Sequence, residues 1–119
     1  MIRLCEEHFE GPFDIEAPGV QRGHPGVYVI VCECRDGVRR MVAIDFSQAI
    51  DRDLGDPENL RAWREPYEGR LVVYVWYAAK SSTGGIAKSL AQAIRERYVP
   101  WDCRTPNQCG KRYAPGGPK

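Results

Sequence analysis

The sequence predicts an α+β domain: a small three-stranded antiparallel sheet, made of a β-hairpin plus a third strand, flanked by helices. Three observations carry that expectation. Residues 27–34 (VYVIVCEC) and 38–44 (VRRMVAI) are β-branched and aromatic runs that flank Arg35-Asp36-Gly37, and an Asp-Gly pair supplies the positive φ of a tight hairpin turn. Residues 71–78 (LVVYVWYA) form a third run, apolar at odd and even positions alike, as a strand covered on both faces would be. Between and after these runs the apolar period changes to that of helices.

Taken in order, residues 1–25 begin with the alternating Ile2 and Leu4 and then carry Gly11-Pro12, Pro18-Gly19 and Pro25-Gly26. These breakers predict a loop-rich lead-in without a core of its own. After the hairpin, Ser47 stands as a candidate N-cap for a short helix with apolar positions Ala49, Ile50 and Leu54, stopped by Gly55-Asp56-Pro57. Residues 58–63 predict a further helical turn before Pro66. Residues 86–98 place Ile86, Leu90, Ala93 and Ile94 at three- and four-residue spacing, an amphipathic helix with Lys88, Arg95 and Arg97 turned outward. The closing stretch is broken by proline and glycine without periodicity. The expected organisation is therefore a lead-in over 1–25, one domain over 26–110 and a mobile tail over 111–119.

Length and composition agree with a single domain: 119 residues, 43% hydrophobic and 28% charged, enough apolar surface for one core and too little chain for two. No apolar run approaches the roughly 20 residues of a membrane-spanning helix, and the acidic, interrupted start is unlike a signal peptide. A cytoplasmic protein without membrane contact is expected. Net charge is +1, but residues 1–60 hold six basic and twelve acidic side chains and residues 61–119 eleven basic and four acidic. Such a split hints at an anionic partner for the second half, or at halves that neutralise each other once folded.

Five cysteines, an odd number, fit reduced thiols better than a disulfide framework. Cys32 and Cys34 would share one face of a strand, and with Cys103 and Cys109 they make a four-thiolate zinc site conceivable. Neither pair has knuckle spacing, so buried apolar-like cysteines are the favoured reading. The segment SSTGGIAKS joins a strand to a helix, as a phosphate-binding loop does. However, Ala87 and Ser82 stand where that loop needs glycines to bring backbone amides to phosphate. His8 and His24 have no neighbours that read as a catalytic triad. The residues imply no cofactor.

The order of elements, opened by Gly26-Val27-Tyr28, resembles the GIY-YIG nuclease domain over about residues 25–110. Ala43-Ile44-Asp45 stands where Y-I-G does. Ser47, Ile50 and Leu54 follow the next helix's pattern, and Asn59 with Trp63 looks like an N-x-x-x-W segment. LAQAIRERYVP resembles the family's closing helix, and Cys109-Gly110 resembles its Pro-Cys-Gly ending. The resemblance implies a nuclease scaffold whose chemistry needs a tyrosine near the scissile phosphate, an arginine for its developing charge and a glutamate for a divalent metal. Of these only Tyr28 is in place. The second-motif tyrosine falls on Ala43, the motif glycine on Asp45, the arginine on Asp53 with Arg52 one place early, the following histidine on Pro57 and the metal glutamate on Ala91, beside the neutral Gln92.

The resemblance thus implies a catalytically inactive scaffold, with Tyr28 and Arg52 as vestiges, that works as a binding module. A protein partner is preferred to nucleic acid. Candidate binding residues are Arg61, Arg64, Arg70, Arg95 and Arg97, interleaved with Trp63, Tyr74, Trp76, Tyr77, Tyr98 and Trp101. This mixture reads either as a stacking face for nucleic acid or as a sheet core with a basic rim, the favoured reading. The alternatives are an active metal-dependent nuclease using displaced Tyr28, Arg52 and Glu96, and a zinc-stabilised module built on the four cysteines.

Overall fold

In the computed structural model, which describes residues 2–65, 67–79 and 85–98, one strand organises the rest. This is Gly26–Cys34, called β3 because two strands precede it: β1, Ile2–Leu4, and β2, Glu7–Asp14. Its alternating side chains feed two separate cores. Val27, Val29 and Val31 join one, and Tyr28, Ile30 and Cys32 the other. β4 (Arg39–Ser47) returns antiparallel to it through the predicted turn. There Asp36 Oδ1 accepts the Val38 N–H at 3.0 Å and Gly37 takes φ of 86°. β5 (Gly69–Tyr77) pairs along the other edge of β3, from Gly26 opposite Tyr77 to Cys34 opposite Gly69.

The sheet is not the three-stranded one that the sequence predicts. It has five antiparallel strands in the order β1-β2-β5-β3-β4 and curls into a half-barrel. The two additional strands lie within the expected loop-rich lead-in, with Phe9 and Ile15 buried in opposite cores. Gly11-Pro12 obscured them. That pair is joined by a cis peptide bond at a break in the register between β2 and β5. β1 reaches only as far along β2 as Phe9, so Pro12 lies on an open edge, where its missing N–H breaks no ladder.

Three helices cover the sheet. α1 (Ile50–Leu54) and α2 (Pro57–Arg64) place Ile50, Leu54 and Trp63 against Tyr28, Ile30 and Cys32. Ser47 is not the N-cap of α1. It ends β4, and its hydroxyl accepts the N–H of Ala49, the residue that precedes the helix. Pro57 opens α2 under an Asp56 side-chain cap, its fixed φ suiting a first helical turn. α3 (Gly85–Tyr98) covers the opposite face, but its buried stripe is Ala87, Ala91 and Ile94, while Ile86 is 63% exposed. Ile94 is buried and Leu90 packs against the core as expected, whereas Ala87 and Ala91 occupy the buried stripe in place of Ile86 and Ala93. Tyr74 and Trp63 are buried and Trp76 and Tyr77 half-buried, so these aromatics serve the core. No helix among the described residues is long and apolar enough to cross a membrane.

Phe9 has 0% relative exposure. Replacing Phe9 by alanine is expected to cost about 3–5 kcal/mol in a urea titration, the usual penalty for an emptied aromatic site. A flexible lead-in would register a change within about 0.5 kcal/mol.

Candidate functional site

The positions brought into question by the family resemblance fall on both sides of the sheet. Tyr28 points from β3 toward α1 and α2. Its Oη donates to Asp53 Oδ2 at 3.3 Å, and its ring meets Trp63 edge-on at 5.7 Å between centroids. Asp53 is on α1, whose position is further tied to α2 by Asn59 Nδ2 donating to the Asp53 carbonyl. Asp45 is the cross-strand neighbour of Tyr28 on β4. Burial first, and then the charges of Asp53 and Asp45, raise the Tyr28 phenol far above the ordinary tyrosine value. It is held as a neutral hydrogen-bond donor.

Ala91, which the resemblance sets against the nuclease metal position, is wholly buried in the core on the α3 side. The sheet therefore separates it from Tyr28. Arg52 is exposed and lies about 100° around the helix from Asp53. Glu96 is exposed on α3 and accepts from Gln92 at 3.0 Å. Tyr28, Arg52 and Glu96 are thus not gathered into one constellation. Among the described residues no group of three or more metal-ligating side chains occurs. Cys32 and Cys34 do meet, with Sγ atoms 3.3 Å apart, whereas Cys103 and Cys109 lie outside the described residues.

The five candidate arginines divide as well. Arg95 reaches from α3 around the edge of β4. Its Nε and Nη2 donate to the Ile44 carbonyl at 3.1 and 2.7 Å, and Nη2 also donates to Asp45 Oδ1 at 3.0 Å. Asp45 Oδ1 in turn accepts the Phe46 N–H at 2.9 Å. The pair therefore seals one stretch of an otherwise open strand edge, a place where unpaired backbone groups invite association. Arg97 and Arg61 are exposed. Arg64 and Arg70, by contrast, converge on one cleft of about 750 Å³.

That cleft runs between the C-terminal end of α2, the start of β5 and the β3–β4 turn. Its floor includes Ile15, Gly69 and Leu71. Arg64 is paired with Glu16, and Arg70 with Asp14 at 3.3 Å. Arg35, from the turn, is a third guanidinium on its wall, and Glu68 a third carboxylate. Beside it, Arg40 is buried, binds both oxygens of Asp36 at 3.0 and 2.8 Å, and lies 5.7 Å from the Tyr67 ring centre. The hydrogen bonds from Arg40 and the Val38 N–H pull the Asp36 carboxyl down to about 2. Sequence reasoning missed Arg35, Asp14, Glu16 and Tyr67. For Asp14 and Glu16 the available signal was Phe9 and Phe13 bracketing Gly11-Pro12, a strand interrupted by one irregularity.

Two pH effects follow. Because the folded Asp36 carboxyl lies below its usual value near 3.8, its contribution is complete above that pH and is lost as pH falls through about 2. Acid unfolding of Asp36→Asn should lack this component. The folded Tyr28 phenol is raised, so its contribution is complete below about pH 10 and is lost as pH rises beyond it. Alkaline denaturation followed by circular dichroism should be shallower for Tyr28→Phe. No family model, curated protein or solved structure matches the chain, so the site is read from its own geometry.

Proposed function

We propose that the chain is a non-catalytic, GIY-YIG-like binding module that engages a protein partner through the arginine-lined cleft. The observation that carries this reading is the charge pairing in the cleft, where Arg35, Arg64 and Arg70 are interspersed with Asp14, Glu16 and Glu68. A nucleic-acid backbone presents uniform negative charge and rewards cations free to replace its counterions. A cleft of alternating sign complements a protein segment that carries both signs. The Arg64–Glu16 and Arg70–Asp14 pairs are substantially exposed, and such pairs contribute only about 0–1 kcal/mol. A partner can therefore exchange them at little cost.

The absence of catalysis is supported by the separation of Tyr28 and Ala91 across the sheet and by Asp45 and Asp53 beside the phenol, which disfavour an approaching phosphate. The hairpin, helix pair, strand and long helix over residues 26–98 follow the element order behind the family resemblance. Free thiols at Cys5, Cys32 and Cys34 accord with a reducing compartment, and we take it to be the cytoplasm.

The full chain is expected to leave single- and double-stranded DNA and RNA uncut in the presence of Mg²⁺ or Mn²⁺. Cleavage abolished by Tyr28→Phe would overturn the non-catalytic reading. In crosslinking followed by mass spectrometry, protein contacts should map to the cleft and be lost in the double variant Arg64→Glu, Arg70→Glu. Tight nucleic-acid binding that weakens steeply with salt and is abolished by the same double variant would assign the cleft to phosphate instead.

A further inference from the structure

The pairing of β2 with β5 stops just after Asp14. Ile15 N–H donates to the Leu71 carbonyl at 3.2 Å, and the chain then turns away, because Asp14 takes the Glu16 N–H on Oδ1 at 2.9 Å and the Ala17 N–H on its carbonyl at 3.1 Å. β5 nevertheless begins at Gly69, where it is paired with β3. At Gly69 it therefore has a neighbouring strand on one side only. The Glu68 carbonyl accepts the Arg35 N–H at 3.4 Å from the β3 side, and across a trans peptide the next N–H points opposite to that carbonyl. The Gly69 N–H thus faces the side that β2 has left. Gly69 lines the cleft of about 750 Å³, and no described residue accepts its N–H. A Cβ here would stand 2.4 Å from the Glu33 carbonyl oxygen, so the position is glycine and no side chain screens the backbone.

We propose that the cleft takes an extended peptide segment of a partner protein as a short added strand beside Gly69, in the line that β2 vacates. This rests on the reading of the cleft as a protein-binding site and specifies how the partner is held. An unpaired edge is a template for a further strand, and strand addition draws affinity from main-chain hydrogen bonds and specificity from the side chains around them. The cleft supplies both. Ile15 and Leu71 are buried in it and Tyr67 is half-buried, an apolar floor for one side chain of the segment. Arg35, on the rim, is exposed, and unlike Arg64 and Arg70 its guanidinium has neither an ion pair nor a hydrogen bond among the described residues. A carboxylate on the segment gives it a partner. The segment is therefore extended and carries an apolar side chain for the floor and an acidic one for Arg35.

The probe is a library of random dodecapeptides displayed on phage and selected on the full chain, the recovered peptides then being synthesised and titrated. They are expected to carry an acidic residue and to bind Arg35→Glu about tenfold more weakly, a loss of about 1.4 kcal/mol. In NMR solvent-exchange measurements the Gly69 amide should be protected about tenfold or more by the bound peptide, as a newly hydrogen-bonded amide is. Should Arg35→Glu fail to fold, N-methylation of the peptide supplies a second test. Methylating its backbone amides one at a time should abolish binding at alternate positions only, since every second N–H of a strand faces a given neighbour.

Peptides that leave Gly69 exchange unchanged, binding indifferent to Arg35→Glu, or a library that yields no binder overturn the proposal. So does a Gly69 amide already protected in the free chain, which would mean that the slot is filled from within. If a protein still crosslinks to the cleft, and the link is lost in Arg64→Glu, Arg70→Glu, then strand addition alone is refuted and the cleft reading stands. Absence of those crosslinks as well removes both.

Discussion

The burial of β3 on both faces and along both edges is the constraint on which the molecule depends. Seven consecutive residues, Gly26 to Cys32, are buried. Each large apolar side chain among them contributes on the order of 1.5–3 kcal/mol by leaving water. Because the side chains alternate, the strand cannot be satisfied by a single helix. α3 must close one face and α1 with α2 the other, while β4 and β5 satisfy its backbone. The close packing also fixes its ends. At Gly26 a Cβ would stand 2.0 Å from the Trp76 carbonyl oxygen, so β5 can approach the start of β3 only because that residue is glycine.

The same two-sidedness separates groups that the sequence suggests should act together. Tyr28 and Ala91 belong to opposite cores because one lies on an even position of β3 and the other on the helix beneath the odd ones. On the Tyr28 side the phenol is enclosed by an aromatic ring and two carboxylates. This environment suits a structural hydrogen bond to Asp53, which couples α1 to the sheet, and it is hostile to an anion. On the far edge, Arg95 returns charge to Asp45 and occupies the Ile44 carbonyl. A cation that looked available for binding is thereby used to close the strand edge.

Charge shows how far a one-dimensional reading carries. The acidic first half and basic second half are evident from residue counts, and the structure brings members of each together: Asp14 with Arg70, Glu16 with Arg64, Asp45 with Arg95. Among the described residues, three ion pairs thus link the acidic half to the basic one and offset part of the asymmetry. Which arginine meets which carboxylate was not legible, since Asp14 and Glu16 lie in a stretch whose Gly-Pro interruption hides its strand. The interruption is tolerated because β1 is too short to pair beyond Phe9. That is a property of the assembled sheet and not of residues 11 and 12.

Local chemistry determined by itself the hairpin at Asp36-Gly37, the apolar third strand, the two short helices and the long helical period near the end. Each is decided by neighbours within a few residues: a positive φ, a β-branched run, a glycine or proline break, a 3.6-residue repeat. Tertiary structure alone decided that five strands form the sheet, that Ala87 and Ala91 face the core in place of Ile86 and Ala93, and that Arg35, Arg64 and Arg70 share a cleft. These outcomes depend on how closely a helix can approach a sheet and on which edge a distant strand finds unpaired. Such long-range competition for buried surface and backbone partners leaves no periodic mark in the sequence.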